Sequence, residues 1–134
     1  MKYLDSNVFI YAATLPQSSS KARKCKKILL DMADGKLHAA TASLTWDELV
    51  WVIKGLAGND AAAKEGRKFM ELANLKILSV DESVLRVAQG LIEKYRLDPR
   101  DAIHAAAAVD NGIADFVSYD SDFDDIKELS SSIP

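Results

Sequence analysis

The chain opens with KYLDSNVFIYAAT, residues 2–14, in which a short apolar segment meets an acid and then a helical pattern. Residues 2–5 predict a β-strand, and residues 7–14 predict a short helix that ends near Pro16. Strand and helix signals go on alternating along the chain, in the predicted order β-α-α-β-α-α-β-α-α-β. Because this alternation is typical of a mostly parallel sheet with helices on both faces, we expect an α/β fold with three layers, α/β/α.

The remaining elements are predicted from apolar periodicity and from capping residues. The cluster Ser18-Ser19-Ser20 supplies caps for a second helix that ends at Gly35, and Asp98-Pro99 is a typical start for the last helix. The other predicted helices are 43–56, 61–73 with Asp60 as its cap, and 84–95, while the last covers 102–109 and ends at Gly112. The other predicted strands are 37–41, 75–80, 116–118 and an edge strand at 128–129. The predicted sheet therefore has four or five strands.

Length and composition limit the class of protein. The 134 residues suit one domain, expected to span residues 1–134, and 49% hydrophobic with 28% charged residues is the mix of a soluble globular chain. No apolar run approaches the roughly 18 residues that a membrane span needs. Asp5 stands where a secretion signal would have its apolar region, so we expect a cytoplasmic protein without a membrane partner.

The cysteine count and the net charge exclude some kinds of site. Cys25 is the single cysteine, which excludes an internal disulfide and multi-thiolate metal sites, and its apolar neighbours predict a packed thiol. A formal charge of −3 argues against binding of nucleic acid by a polybasic surface alone. The basic run over residues 21–27 could meet an RNA backbone, but a charge run on an amphipathic helix is usually its solvated face, which is the prediction here. A nuclease is still possible because carboxylates that hold metal ions lower the formal charge.

Four carboxylates coincide with one expected edge of the sheet. Asp5 and Asp120 follow predicted strands, and Glu48 and Asp101 lie near the starts of helices that follow strand or loop segments. Ligands of open α/β sheets bind at the carboxyl ends of the strands. Acids buried near apolar faces are costly unless a cation neutralises them, and oxygen ligands suit Mg²⁺ or Mn²⁺. Two such ions about 4 Å apart can activate water for phosphodiester hydrolysis.

Each acid also has a local interpretation that needs no metal. Asp5 could cap the first helix, and Glu48 could form a capping box with Thr45. Asp101 is at the third helical position, where the helix dipole favours any acid, and Asp120 could form an Asx turn. These alternatives are as strong as the functional interpretation for each residue taken alone. The shared edge of the sheet is what favours a common site.

With these residues assembled, the chain resembles the PIN-domain family, and more narrowly the VapC-type toxin ribonucleases of prokaryotic toxin-antitoxin pairs. The segments that carry the resemblance are residues 3–11, 44–49, 101–106 and 117–123. It implies a metal-dependent endoribonuclease that uses Mg²⁺ or Mn²⁺, with an RNA substrate, a small antitoxin partner and a homodimeric state. The site residues that it implies are the metal-site acids Asp5, Glu48, Asp101 and Asp120, with Asn7, Ser118 and Asp122 as supporting polar groups. Asp122 is a candidate additional ligand, and Asp124 is an alternative to it.

Four other residues are weaker candidates. Arg100 lies beside the expected site and could bind substrate, whereas His104 could contact substrate or be a hydrogen-bonded packing histidine. Trp46 and Trp51 could mark a homodimer or antitoxin surface, or could simply pack in the core. Two alternative functions also follow, a housekeeping PIN nuclease in RNA maturation and a non-catalytic PIN-like binding module.

Overall fold

The computed structural model describes residues 1–134 as a parallel sheet of five strands covered by helices on both faces. The strands are β1 Lys2–Leu4, β2 Ala39–Ala42, β3 Leu75–Leu78, β4 Asp115–Val117 and β5 Ser130–Ser132. The helices are α1 Ser6–Thr14, α2 Ser20–Ala33, α3 Leu44–Ala57, α4 Asn59–Met70, α5 Glu82–Tyr95 and α6 Pro99–Asp110, with a 3-10 turn at Ser121–Phe123. The predicted α/β class and the three layers are confirmed.

The order of the strands places the crevice of the sheet. The order is β3-β2-β1-β4-β5, and every neighbouring pair is parallel. The chain therefore builds the sheet outward from β1 on one side, through β2 and β3, and then crosses to the other side for β4 and β5. Because of this reversal, the connections that follow β1 and β4 run apart, and a crevice opens between the carboxyl ends of these two strands. Asp5 and Ser118 are the residues that directly follow these two strands.

Alternation along the central strands produces two cores, one on each face. Tyr3 and Phe116 belong to the core formed with α5 and α6, whereas Leu4 and Val117 belong to the core formed with α1 to α4. Neighbouring side chains of a strand point to opposite faces, so a short apolar strand serves both cores. Cys25 lies in the second core, where burial raises the pKa of its thiol to about 11 against the opposing charge of Lys21. The predicted packed thiol is confirmed.

Helix α6 packs closely on the sheet because its inner face is made of small side chains. Its fully buried alanines are Ala102, Ala105, Ala106, Ala107 and Ala108. The same face carries His104, whose side chain is buried in the interior with these alanines.

On the other face of the sheet, the basic residues of α2 at 21, 23, 24 and 27 are exposed, as predicted. No helix has the length and the apolar composition needed to cross a membrane.

Three predicted details are wrong. The edge strand is at Ser130–Ser132 rather than at 128–129, because β5 is defined by backbone pairing with β4, and serine side chains give no strand signal. Helix α4 is capped by Gly58 with φ 91° rather than by Asp60, so α3 and α4 are joined through a single glycine. The capping box is also absent, because the Thr45 hydroxyl contacts the Thr41 hydroxyl at 2.7 Å. The other element ends differ from prediction by at most three residues, the largest difference being the end of α4, which is Met70 rather than residue 73.

The cap of α5 provides a test of the local energetics. The Asp81 carboxylate accepts a hydrogen bond from the Val84 amide at 3.1 Å. We expect Asp81→Ala to lower the free energy of unfolding by about 1 kcal/mol, because the amide loses its partner. Urea denaturation should show a lower midpoint with an unchanged slope. The control Gln89→Ala, on the exposed face of the same helix, should stay within about 0.5 kcal/mol. Equal losses in the two variants would contradict the capping role.

Candidate metal centre

Three carboxylates meet at the carboxyl edge of the sheet. Asp101, Asp120 and Asp122 each place one carboxylate oxygen within 4.8 Å of the other two. Asp101 is the third residue of α6, while the other two lie in the turn after β4. Asp124 is not part of this group, so Asp122 is the acid of this turn that joins Asp120.

Asp5 is tied to the same turn through Ser118. The buried Asp5 carboxylate accepts a hydrogen bond from the Ser118 hydroxyl at 2.7 Å and one from the Ser6 amide at 2.8 Å. The Ser118 oxygen accepts in turn from the Asp120 amide at 2.9 Å. Ser118 therefore links the ends of β1 and β4 across the crevice. The local interpretations of Asp5 and Asp120 are also true, since Asp5 caps α1 and Asp120 accepts from the Asp122 amide.

Glu48 enters the site by a different route. It lies in the second turn of α3, a little later than predicted, and is not part of the group of three aspartates. Its Oε1 is 2.5 Å from Nε2 of His104, and the same nitrogen is 3.8 Å from the Asp5 carboxylate. Nδ1 of His104 is 2.7 Å from the Tyr3 hydroxyl. His104 therefore connects Glu48 to Asp5 and to the core.

The buried histidine answers one of the open questions of the sequence. His104 is 1% exposed and both of its ring nitrogens have partners within the chain. The structure thus shows a buried, hydrogen-bonded histidine, as the packing interpretation predicts, while contact between His104 and substrate stays a prediction. Sequence reasoning missed the role of Tyr3. The only signal in the sequence was weak: a tyrosine in a buried strand needs a polar partner for its hydroxyl group.

The electrostatics of the group show an excess of negative charge. Burial and the nearby charges of Asp120, Asp5 and Asp122 together raise the pKa of Asp101 to about 6, against the opposing charge of His104. Each additional negative charge makes ionisation of Asp101 less favourable. In the metal-free site Asp101 therefore keeps its proton to a higher pH than an ordinary aspartate, up to about pH 6.

The pKa of Asp5 is also raised. Burial is the main cause, and it outweighs the charge of His104 and the hydrogen bonds from Ser118 and Ser6. Burial by itself lowers the pKa of His104, but the hydrogen bond to Glu48 and the charge of Asp5 outweigh it, so the pKa is raised. His104 is the only basic group within 4 Å of any of these acids.

The donor set fits a hard divalent cation. Asp101, Asp120 and Asp122 offer carboxylate oxygens within a few ångströms, and Asp5 lies next to them. Mg²⁺ and Mn²⁺ take such ligands, whereas zinc favours histidine or thiolate. A divalent ion would also relieve the repulsion that raises the pKa of Asp101. Binding of a divalent cation would therefore lower the electrostatic energy of this cluster.

A cleft of about 230 Å³ opens beside Glu48. Its lining residues are Asn7, Ile10, Asp47, Glu48, Trp51, Val52 and Arg100. Trp51 is 75% exposed, so core packing is the wrong explanation for this residue, and Trp46 is also exposed in part. Arg100 is exposed at the start of α6. The cleft thus combines an aromatic ring, a cation and an amide next to the carboxylates.

Comparisons with known proteins agree with this architecture. The sequence matches the PIN domain family over residues 2–129. The VapC20 toxin of Mycobacterium tuberculosis, described as cleaving the sarcin-ricin loop, has a TM-score of 0.73 at 13% identity, covering 92% of this chain and 93% of that one. A DNA-bound VapBC complex from Salmonella typhimurium has a TM-score of 0.73 at 16% identity, covering 99% and 98%.

A toxin-antitoxin complex from Klebsiella pneumoniae has a TM-score of 0.69 at 20% identity, covering 97% of this chain and 96% of that one. No curated protein sequence matches the chain significantly. The structural similarities, all at low identity, show a shared fold. The match to the family itself covers nearly the whole chain, and from it we conclude that this protein belongs to the PIN-domain family.

Proposed function

We propose that the chain is a single cytoplasmic PIN-type domain that hydrolyses RNA phosphodiester bonds with Mg²⁺ or Mn²⁺ as cofactor. The PIN family is one of nucleases, which supports hydrolysis of a phosphodiester in general. The observation that carries the proposal is the convergence of acids at the crevice of the sheet, with a raised pKa at Asp101. Metal-holding acids would be Asp5, Glu48, Asp101 and Asp120, with Asp122 as a further ligand.

The proposed roles follow from where each side chain lies. When bound, the metal would activate a water molecule and stabilise the leaving oxygen of the displaced phosphodiester. Asp101 would hold the ion from the start of α6, Asp120 and Asp122 from the turn after β4, and Asp5 from the end of β1. Ser118 would keep Asp5 and the Asp120 turn in register by its two hydrogen bonds. The protein would thus contribute position and charge, while a water molecule would serve as the nucleophile.

The cleft beside Glu48 suits an unpaired RNA segment. Exposed aromatic rings stack on bases of single strands, and a cation beside them attracts the phosphate backbone. Trp51 and Arg100 supply these two groups, and Asn7 adds hydrogen-bonding capacity. The chain has a net negative charge, so such local contacts would have to supply much of the binding.

The direct test is cleavage of a labelled single-stranded RNA by purified protein. We expect cleavage with Mg²⁺ or Mn²⁺, none with a chelator in excess, and recovery when the metal is restored. A non-catalytic binding module would bind the RNA without cleaving it under any of these conditions. Cleavage that persists in chelator would contradict the metal-dependent mechanism.

Trp51 provides a test of the substrate cleft. We expect Trp51→Ala to raise KM for single-stranded RNA on the order of tenfold, because one stacked base is lost, with little change in kcat. The matched control is Trp46→Ala on the same helix, because Trp46 lines a different pocket with Val50 and Met70. Steady-state cleavage of a short RNA by the two variants would measure this difference. Equal KM values in the two variants would show that Trp51 does not contribute to RNA binding.

The similar solved structures also support a toxin role. Two of them are described as toxin-antitoxin or VapBC complexes, so we propose a small antitoxin partner for this chain. A homodimer is proposed from the family resemblance alone. Exposed apolar residues on α3 and α4, including Trp46, Leu56 and Met70, offer surface for such contacts. Induced expression in a bacterial host should stop growth, and co-expression of a small protein encoded beside the gene should restore it. A housekeeping nuclease would show neither effect.

A further inference from the structure

We propose that His104 is a positioning residue that orients Glu48 toward the metal centre, and that Tyr3 holds the His104 ring for this purpose. The inference rests on the proposed function, since it concerns how Glu48 is presented to a metal ion. It concerns a buried histidine whose Nε2 lies near two of the acids, Glu48 and Asp5. The contacts on which it depends join three distant parts of the chain, β1, α3 and α6.

The donors and acceptors among Tyr3, His104 and Glu48 can be assigned from their partners. The Ala42 amide donates to the Tyr3 hydroxyl oxygen at 3.0 Å, and a backbone amide cannot reverse its role. The hydroxyl hydrogen of Tyr3 is then free to be donated to Nδ1 of His104, which is 2.7 Å away. An ionised carboxylate oxygen can only accept, so Nε2, which faces Glu48, carries a hydrogen whether the ring is neutral or protonated, and a neutral ring then accepts at Nδ1 from Tyr3. His104 therefore donates from Nε2 to Oε1 of Glu48, at 2.5 Å.

The packing around the ring prevents it from turning away. Tyr3 is fully buried and stacks on Phe116, with ring centroids 4.9 Å apart and planes within 9°. The His104 ring meets Tyr3 edge-on, with centroids 6.0 Å apart. Helix α6 surrounds the histidine with fully buried alanines. The donor that faces Glu48 is thus held by the core of the protein.

Glu48 needs such a partner more than the aspartates do. It is outside the group of three aspartates, and its longer side chain has one more rotatable bond. The bond to His104 engages Oε1 and leaves Oε2 free to act as a ligand. Partners that orient metal ligands in this way commonly change metal affinity by roughly 10-fold to 100-fold when they are removed.

Two substitutions separate positioning from packing. The side-chain amide of asparagine lies near the place of Nδ1, whereas that of glutamine extends to the place of Nε2. His104→Asn therefore keeps a polar group near Tyr3 but cannot reach Glu48, while His104→Gln keeps a donor toward Glu48. We expect His104→Asn to weaken Mn²⁺ binding on the order of tenfold or more, and His104→Gln to stay within about threefold of wild type. Free Mn²⁺ measured by electron paramagnetic resonance gives the affinities directly.

A packing role alone predicts a different pattern. Both variants would then lose thermal stability while binding Mn²⁺ as tightly as wild type, and that result would overturn the inference. A loss of Mn²⁺ affinity as large in His104→Gln as in His104→Asn would also overturn it. Wild-type protein that neither binds Mn²⁺ nor cleaves RNA would instead overturn the proposed function itself, and the inference with it.

A measurement on the unaltered protein covers the case in which a variant fails to fold. The chain has two histidines, His38 and His104, so ¹⁵N-histidine labelling gives two ring spin systems. We expect the His104 ring to carry its hydrogen on Nε2, and Glu48→Gln to shift that resonance. A neutral ring with its only hydrogen on Nδ1, or no response to Glu48→Gln, would overturn the inference.

Discussion

Asp101→Asn is expected to lower the rate of RNA cleavage at least about 100-fold while making the metal-free protein more stable. The catalytic loss follows because asparagine keeps the shape of the side chain but removes the negative charge that would hold the ion. The gain in stability follows because Asp101 ionises beside Asp120, Asp122 and Asp5. A neutral amide relieves that repulsion. Opposite effects on activity and stability are the signature of a functional charge rather than a structural one.

The sign of the stability effect follows from the pKa. Asp101 has its folded-state pKa raised from the usual value for aspartate to about 6, so the folded state holds this proton more tightly than the unfolded state. Metal-free wild type should therefore lose stability as the pH rises from about 4 to about 6. Asp101→Asn should lack that loss. Because Asp101 is only partly buried and solvent screens the charges around it, we expect a difference of about 1 kcal/mol above pH 7.

The control for this prediction lies in the same part of the protein. Asp124 is exposed in the turn after β4 but outside the group of three aspartates. Asp124→Asn should leave both cleavage and metal-free stability nearly unchanged. Thermal unfolding in chelator at pH 5 and pH 8, with cleavage assays at pH 8, measures both effects. Unaltered cleavage by Asp101→Asn would refute the proposed mechanism.

Mn²⁺ is expected to stabilise the wild-type protein strongly at pH 8. At a free concentration 100 times its dissociation constant, a ligand that binds only the folded state adds about 2.7 kcal/mol. The stabilisation should decline toward pH 5, because protonated Asp101, with a pKa of about 6, competes with the ion. Thermal unfolding with Mn²⁺, and again after chelation, measures the change.

The specificity of this stabilisation is tested with the acids themselves. Asp5→Ala and Asp101→Asn should each remove most of the Mn²⁺-dependent rise in melting temperature, whereas Asp124→Asn should retain it. A rise of the same size in all variants would show non-specific binding to the acidic surface, and the proposed centre would be wrong.

Most of the fold could be predicted from the sequence because its signals are local. The alternation of short apolar strands with amphipathic helices depends on neighbours a few residues apart, and so do the caps at Ser19 and Asp98-Pro99. Strand β5 was misplaced for the same reason. Its serines have no apolar pattern, and they form a strand only because β4 offers a backbone edge.

The candidate acids were also predictable, but only as a set of positions. Asp5, Asp101 and Asp120 follow strands or begin helices, and the parallel sheet brings those ends together. Their local interpretations as caps and turn residues also hold in the structure, so local and functional roles coexist at these positions. Their role in holding a metal stays a prediction.

The sequence by itself determined the class of the fold, the succession of its elements and the edge at which the acids meet. Only the tertiary structure decided that Tyr3 and Glu48 share His104 and that Trp51 faces a cleft. Tyr3 and His104 are 101 positions apart, and Glu48 and His104 are 56 apart. Helix and strand patterns report on near neighbours, whereas such contacts exist only after two cores have packed against one sheet.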